Sequence, residues 1–188
     1  RERKRGAVED LVALINGDST AFSTVYGAVD GLAECRYILT LDSDTNLSVG
    51  SVAEMLTAAM HPFCRPVING DKITAGFGVL QPRMTVTSES ASASAFSVLT
   101  ASCVGIDVYE NASFSTPVAV FGEGLFCGKG LVDVSAYKAA VADKLPSGYV
   151  LSHDIPEGAL MRTMYLHDTV LSDNTPSGAV PYLVRSER

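Results

Sequence analysis

Tyr37-Ile38-Leu39-Thr40-Leu41-Asp42-Ser43-Asp44-Thr45 is the stretch that decides how this chain reads. Tyr37 to Leu41 is an apolar run with the composition of a buried strand, and it stops abruptly at two carboxylates two residues apart. Acids just past a strand sit at the carboxyl edge of a sheet, where α/β proteins bind ligands. A short acidic loop there offers hard oxygen ligands suited to Mg²⁺ or Mn²⁺, and such a metal could bridge a diphosphate and offset its charge. Asp42 and Asp44 are therefore the candidate metal and diphosphate ligands. An acidic turn that merely caps the following helix is the competing account.

Two other acidic motifs are tested by their neighbours. A calcium loop of the EF-hand type starting at Asp42 needs Gly at its sixth position and Glu at its twelfth, and Leu47 and Ala53 stand there. A haloacid-dehalogenase-like phosphatase uses D-x-D-x-T, but Asn46 lies two places after Asp44 and the Thr comes one place early. The first reading fails; the second is close enough to stand as the rival enzyme.

Working outward, Ala7, Val8, Leu11, Val12, Leu14 and Ile15 have helical spacing with a stop at Asn16-Gly17, and a polar connector runs to about Glu34. Ser51-Val52-Ala53-Glu54 has capping-box spacing and predicts a helix towards Met60, ended by His61-Pro62. A strand is expected from Gly76 to Gln81, a weak helix within the Ser/Ala-rich stretch from Thr85 to Cys103, and a helix from about Val134 to Ala142. Another helix is expected from Asp154 to Met164, followed by a strand around Thr169-Val170-Leu171. Strands alternating with helices predict a mainly parallel α/β sheet.

The 188 residues, 47% hydrophobic with 16 Gly and 8 Pro, fit one domain over 1–188 with a real core. No apolar run reaches the about 18 residues a membrane span needs, and no signal peptide is visible at Arg1-Glu2-Arg3-Lys4-Arg5. Those five residues carry net +3 against −7 for the whole, leaving −10 on the rest. So acidic a body is a poor surface for nucleic acid; the basic start is either a solvated tail or a local anion site. Cys35, Cys64, Cys103 and Cys127 are widely spaced and read as reduced, mostly buried thiols rather than zinc or redox pairs.

Gly122-Glu123-Gly124-Leu125-Phe126-Cys127-Gly128-Lys129-Gly130 could be taken for a phosphate loop. Glu123 stands where the first Gly of a Walker A motif belongs, and Gly130 replaces its Ser/Thr. Close backbone approach to a sugar, at Gly124 among others, is the functional account; a turn cluster is the plain one. Arg83, after Gln81-Pro82 at a strand end, is either a sugar or phosphate contact or a surface arginine.

Taken in order, several segments resemble a known family. Arg5-Gly6-Ala7 opening a helix and the strand ending in D-x-D resemble processive family-2-like glycosyltransferases. Gly78-Val79-Leu80-Gln81-Pro82-Arg83, Phe121-Gly122-Glu123-Gly124 with Gly128-Lys129-Gly130, and Leu151-Ser152-His153-Asp154 with Glu157-Gly158 resemble cyclic β-1,2-glucan synthases. The resemblance implies a GT-A-like (Rossmann-like) α/β fold, a mainly parallel sheet flanked by helices and incomplete at both ends. It implies an inverting transferase with UDP-glucose as donor and a growing β-1,2-glucan as acceptor. Asp42 and Asp44 would hold the metal and the diphosphate, Asp44 more directly, with Arg83 and Gly124 near the donor. Asp154 would be the general base, with Glu157 as its backup because His153 replaces the acid that precedes this Asp in many relatives. An Asp at a helix start can also simply cap it.

Two family elements are absent, the uridine-gripping strand and the Q-x-x-R-W motif, and the chain has no Trp. The expectation is an excised core, catalytically silent alone, soluble, and able to self-associate through an exposed sheet edge. Its parent is expected at the bacterial inner membrane with this domain cytoplasmic. A non-catalytic carbohydrate-binding or scaffolding module is the rival from another class.

Overall fold

The computed structural model describes residues 3–27, 29–101, 116–146, 148, 150 and 152–186. Arg1, Glu2, Cys103 and Leu151, which figure in the sequence reading, lie outside them. The amphipathic start forms α1 (Arg3–Ile15), and Asn16 closes it by donating its amide to the Val12 carbonyl. After a 3₁₀ turn at Leu32–Glu34 come β1 (Tyr37–Thr40), β2 (Asn46–Leu47) and α2 (Ser51–Met60). Gly50, not Ser51, occupies the cap of α2; Ser51 is its first residue and donates its hydroxyl to the Ser48 carbonyl, so the capping box does not form. His61 takes an extended conformation before Pro62 and stops the helix, as the spacing predicts.

A hairpin that the sequence reading missed follows, β3 (Val67–Asn69) and β4 (Lys72–Ala75). Its signal was present: Asn69-Gly70 opens a two-residue connection, and Gly70 takes the positive φ (61°) that such turns demand. Next are β5 (Val79–Val86), α3 (Ser88–Ser92), α4 (Ala95–Thr100) and α5 (Thr116–Phe121). The chain continues through β6 (Gly130–Asp133), α6 (Val134–Ala140), α7 (Asp154–Met161), β7 (Thr163–Asp173) and α8 (Ala179–Ser186). Among the described residues no helix is long and apolar enough to cross a membrane.

The fold is α/β, a five-stranded sheet flanked by helices, but its strand directions correct the expectation of a mainly parallel sheet. The order is β1-β6-β5-β7-β2, and only β5 and β7 pair parallel; β1–β6, β6–β5 and β7–β2 are antiparallel. Alternation of strands and helices constrains the connections, not which strands become neighbours, and here β6 inserts antiparallel between β1 and β5. Even so, β1, β5 and β7 all run the same way, so their carboxyl ends share one end of the sheet with the start of β6. The β5–β7 register breaks after Pro82, whose partner is Leu166, and resumes with Arg83 opposite Val170. Proline has no N–H to give to the ladder, which is where a sheet tolerates such a break.

On one face, Val79 and Val132 pack with Phe126, Val12 and Ile15 of α1, Tyr137 and Ala140 of α6, and Met161 of α7. On the other, Leu80, Leu131 and Leu166 meet Met55 and Ala59 of α2. Helix α7 comes so close that a Cβ on Gly158 would lie 2.5 Å from the Phe126 Cβ and 2.7 Å from the Thr163 Oγ1. Burial of a large apolar side chain contributes about 1.5–3 kcal/mol, against roughly 0–1 kcal/mol for an exposed ion pair. Val12 and Ile15 therefore hold α1 in place, and the charged groups at its other end are left to the site below. Cys35, Cys64 and Cys127 form no disulfide among the described residues; Cys64 is buried, but Cys35 is exposed.

Candidate functional site

Strand β1 delivers the D-x-D turn at the common carboxyl end of β1, β5 and β7. It does so from the edge of the sheet, not from its centre. The turn is closed reciprocally: the Asp42 amide donates to Thr45 Oγ1 (3.2 Å), and the Thr45 amide donates to the Asp42 carbonyl (3.2 Å). Directly afterwards Asn46 and Leu47 pair with Ser172 and Leu171. That pairing carries the turn to the far end of β7, where Asp173 lies.

Two ammonium groups meet at Asp42. Lys4 of α1 donates to its Oδ1 at 2.7 Å, and Lys129, just ahead of β6, stands 3.4 Å from its Oδ2. Lys129 also pairs with Asp173 at 2.6 Å. Burial alone would raise the Asp42 pKa, but Lys4 through its hydrogen bond and charge, with Lys129, holds the carboxyl below the usual carboxylate range. The two pairs differ in kind. Lys4–Asp42 is roughly one-third exposed (side chains 34% and 41%), whereas Lys129–Asp173 is sealed (4% and 3%). An exposed pair is worth about 0–1 kcal/mol and exchanges readily; stripping one partner from a buried pair costs about 3–5 kcal/mol.

Asp154 opens α7 but does not cap it. His153 occupies the cap position, no side chain caps the helix, and the Asp154 carboxylate lies against Gly128. A Cβ on Gly128 would sit 2.8 Å from Asp154 Oδ2 and 3.0 Å from Oδ1, and Gly128 has φ +81°, so glycine is required twice over. Burial pushes the Asp154 pKa up; Lys4 and Lys129 pull it down and the Asp42 charge raises it, so the two candidate carboxylates share one electrostatic environment. One turn on, Glu157 is buried with Oε1 4.0 Å from Arg5 Nε, and burial, reinforced by the Asp154 charge, raises its pKa to about 7. Arg5 in turn donates to the Leu145 carbonyl at 2.9 Å and faces Glu9 at 3.8 Å. The start of α1 is thus no solvated tail in its described residues: Lys4 reaches the D-x-D turn and Arg5 reaches Glu157 of α7.

The crevice lined by Lys4, Arg5, Thr40, Gly128, Asp154 and Glu157 has a volume of about 10 Å³, room for a single water. The crevice beside Asp154 is too small for a sugar ring. Asp44 is half-buried, and its side chain makes no ion pair among the described residues. Arg83 is half-buried on β5, with Nε unsatisfied. It shares a face with Gln81 and Val79 by strand alternation, and it does not line the Asp154 crevice. Gly124 is elsewhere. Its amide donates to the Thr163 carbonyl (2.8 Å), and it lines a separate pocket of about 350 Å³ with Phe77, Met164, Tyr165 and His167. The structure therefore brings Asp42 and Asp154 together and leaves Gly124 apart from them.

No family model matches the chain. Over 178 residues, 93% of its length, it is 36% identical to the cyclic β-(1,2)-glucan synthase NdvB of Rhizobium meliloti strain 1021. The chain is related to this synthase. It spans about 6% of the length of NdvB. The kinship to NdvB agrees with the ordered motifs in the sequence; the site's geometry stands independently of it.

Sequence reasoning passed over Lys4, Lys129 and Asp173 as site residues. Their signals were a basic run abutting an amphipathic helix, a lysine boxed by two glycines, and an acid closing an apolar strand. Gly128→Ala follows as a direct test of the packing: the added methyl must push the Asp154 carboxylate away or shift the strand entry. The expected loss is about 1–3 kcal/mol of stability, from the overpacking and from the positive φ together, read from urea midpoints of the two proteins; an unchanged midpoint would mean that neither the Asp154 contact nor the backbone requires glycine here.

Proposed function

We propose that this chain is part of the catalytic core of an inverting glycosyltransferase that moves glucose from UDP-glucose to a growing β-1,2-glucan. The observation that carries the reading is the meeting of Asp42 and Asp154 beside Lys4, Lys129 and Gly128 at the ligand-binding end of the sheet. In this reading Asp154 accepts the proton of the acceptor hydroxyl. The hydroxyl oxygen bonds to the anomeric carbon from the face opposite UDP, and the bond from that carbon to the diphosphate oxygen breaks. One displacement turns an α-linked donor into a β-linked product and needs a single base. A carboxyl raised by burial is a better proton acceptor than an exposed one.

The donor set fits a divalent cation in part. Asp44 offers an uncommitted carboxylate, and Mg²⁺ or Mn²⁺ in such sites takes one or two carboxylates plus phosphate oxygens and water. Both Asp42 oxygens already face ammonium groups, so Asp42 joins only when Lys4 gives way. When bound, the metal would offset charge on the departing diphosphate. Lys4 and Lys129 supply positive charge at the same place.

Mn²⁺ titration of the chain in the presence of millimolar UDP, followed by the loss of the free-ion EPR signal, tests this. Asp44→Asn is expected to weaken Mn²⁺ binding about tenfold or more. Binding indifferent to Asp44 would remove the metal from this turn.

A further inference from the structure

We propose that Lys129 is the positioning residue of this site: a buried ammonium that ties the D-x-D turn to the end of β7 through Asp173. Lys4 is then the counter-ion that an incoming divalent cation or diphosphate displaces. The second half of this inference rests on the metal and diphosphate reading above; the first stands on geometry alone.

The turn from Asp42 to Thr45 has little to hold it. Its local bonds are two of 3.2 Å between Asp42 and Thr45 and a long one of 3.4 Å from Asn46 Nδ2 to the Asp44 carbonyl, and the strand that leaves it is only two residues long, Asn46–Leu47. Facing it, Asp173 is buried, with Oδ1 lacking a hydrogen-bond partner and Oδ2 held by Lys129, its ion-pair partner among the described residues. A carboxylate so enclosed demands a fixed cation. Lys129 meets that demand at 2.6 Å and reaches Asp42 Oδ2 at 3.4 Å with the same ammonium. Glycines on both sides let the backbone bring it there: Gly128 accommodates Asp154, and a Cβ on Gly130 would lie 2.4 Å from the Leu80 carbonyl oxygen.

The division of labour follows from exposure. Lys129 keeps a sealed partner in Asp173 whatever happens at Asp42, so its position survives ligand exchange. Lys4 approaches from the open side and has Asp42 as its ion-pair partner among the described residues. Its departure bares Oδ1 and widens the crevice beside Asp154, whose wall it forms. The unliganded site is thus closed by a residue of its own chain.

The test uses the 188-residue chain and two readouts. Lys129→Met combined with Asp173→Asn removes the strut without leaving a buried charge unpaired. The Thr45 amide should then exchange with solvent about tenfold faster, while the Val141 amide, bonded to the Tyr137 carbonyl in the core, keeps its protection. Asp42→Asn, at a half-exposed position that leaves the Lys129–Asp173 pair whole, is the second variant and should release Thr45 to a similar extent. Lys4→Gln should leave Thr45 exchange unchanged. In the Mn²⁺ titration with UDP, the double variant should lose about 10–100-fold in affinity, as for other outer partners of metal ligands, and Lys4→Gln should gain. Native Thr45 exchange in both the double variant and Asp42→Asn would overturn the strut, as would loosening of the turn by Lys4→Gln. Absence of Mn²⁺ binding in every protein would sink the metal reading and the role of Lys4, and the exchange result would still decide Lys129.

Discussion

Replacing Asp154 by Asn is expected to lower glucosyl transfer about 10²–10⁴-fold, the range general-base catalysis supplies, when measured as UDP release in a complete synthase. Asn has the same shape, keeps the contact with Gly128, and leaves the Lys4–Asp42 pair in place. It cannot take up the acceptor proton. In the proposed reading donor binding belongs to Asp42 and Asp44, so it should be little changed and the loss should fall on kcat. The wild-type pH profile has a defined sign. The base works only when ionised, and burial holds the Asp154 pKa above the usual carboxylate value. Activity should fall towards acid with a midpoint above that of an exposed Asp, about 3.9. Turnover retained in the Asn variant would move the base to Glu157 or off α7 altogether.

Glu157 should dominate the pH dependence of stability. Its pKa is raised from 4.5 to about 7, by burial first and then by the charge on Asp154, against the pull of Arg5. In the window from 4.5 to about 7 the folded chain holds a proton that the unfolded chain has released. Stability from this group is therefore full below the window, declines as pH rises through it, and is lost above it. At about 1.4 kcal/mol per pKa unit the difference between the two ends is on the order of 3 kcal/mol. Glu157→Gln removes the titration. Relative to wild type the variant should gain on the order of 3 kcal/mol between pH 4 and pH 8, read from urea midpoints at the two pH values. A difference that does not vary with pH would show that Glu157 is ionised throughout and that Arg5 neutralises it.

How far the site was legible varies residue by residue. Asp42 stood out because it opens an acidic pair just past an apolar strand, at the sheet end where α/β proteins bind ligands. Asp154 was named through the ordered resemblance to glucan synthases, and its neighbour Glu157 with it. Lys129 lay in view inside a quoted motif and was read as part of a backbone feature, because flanking glycines mark a close backbone approach without telling a buried lysine from an exposed one. Its partners come from 87 residues earlier and 44 later, and a contact over such separations leaves no spacing pattern. Gly124 failed to join the site for the same reason. Its glycine was legible, but its neighbour in space, the start of β7, was not.

By itself the sequence determined the elements with strong periodicity: the helix through Val8, Leu11, Val12 and Ile15, the strand ending in D-x-D, and the helices beginning at Ser51, Val134 and Asp154. Each follows from local pattern, side-chain burial on one face or a stop signal, that only a few neighbouring residues set. The tertiary structure alone decided strand order and direction, placing β6 antiparallel between β1 and β5 and leaving one parallel pair. It also decided which charges meet. The apolar stripe of α1 fixes that helix on the sheet, and only then do Lys4 and Arg5 reach Asp42 and Glu157. Periodicity tells which face of an element is buried; what that face is buried against is settled by the packing of the whole chain.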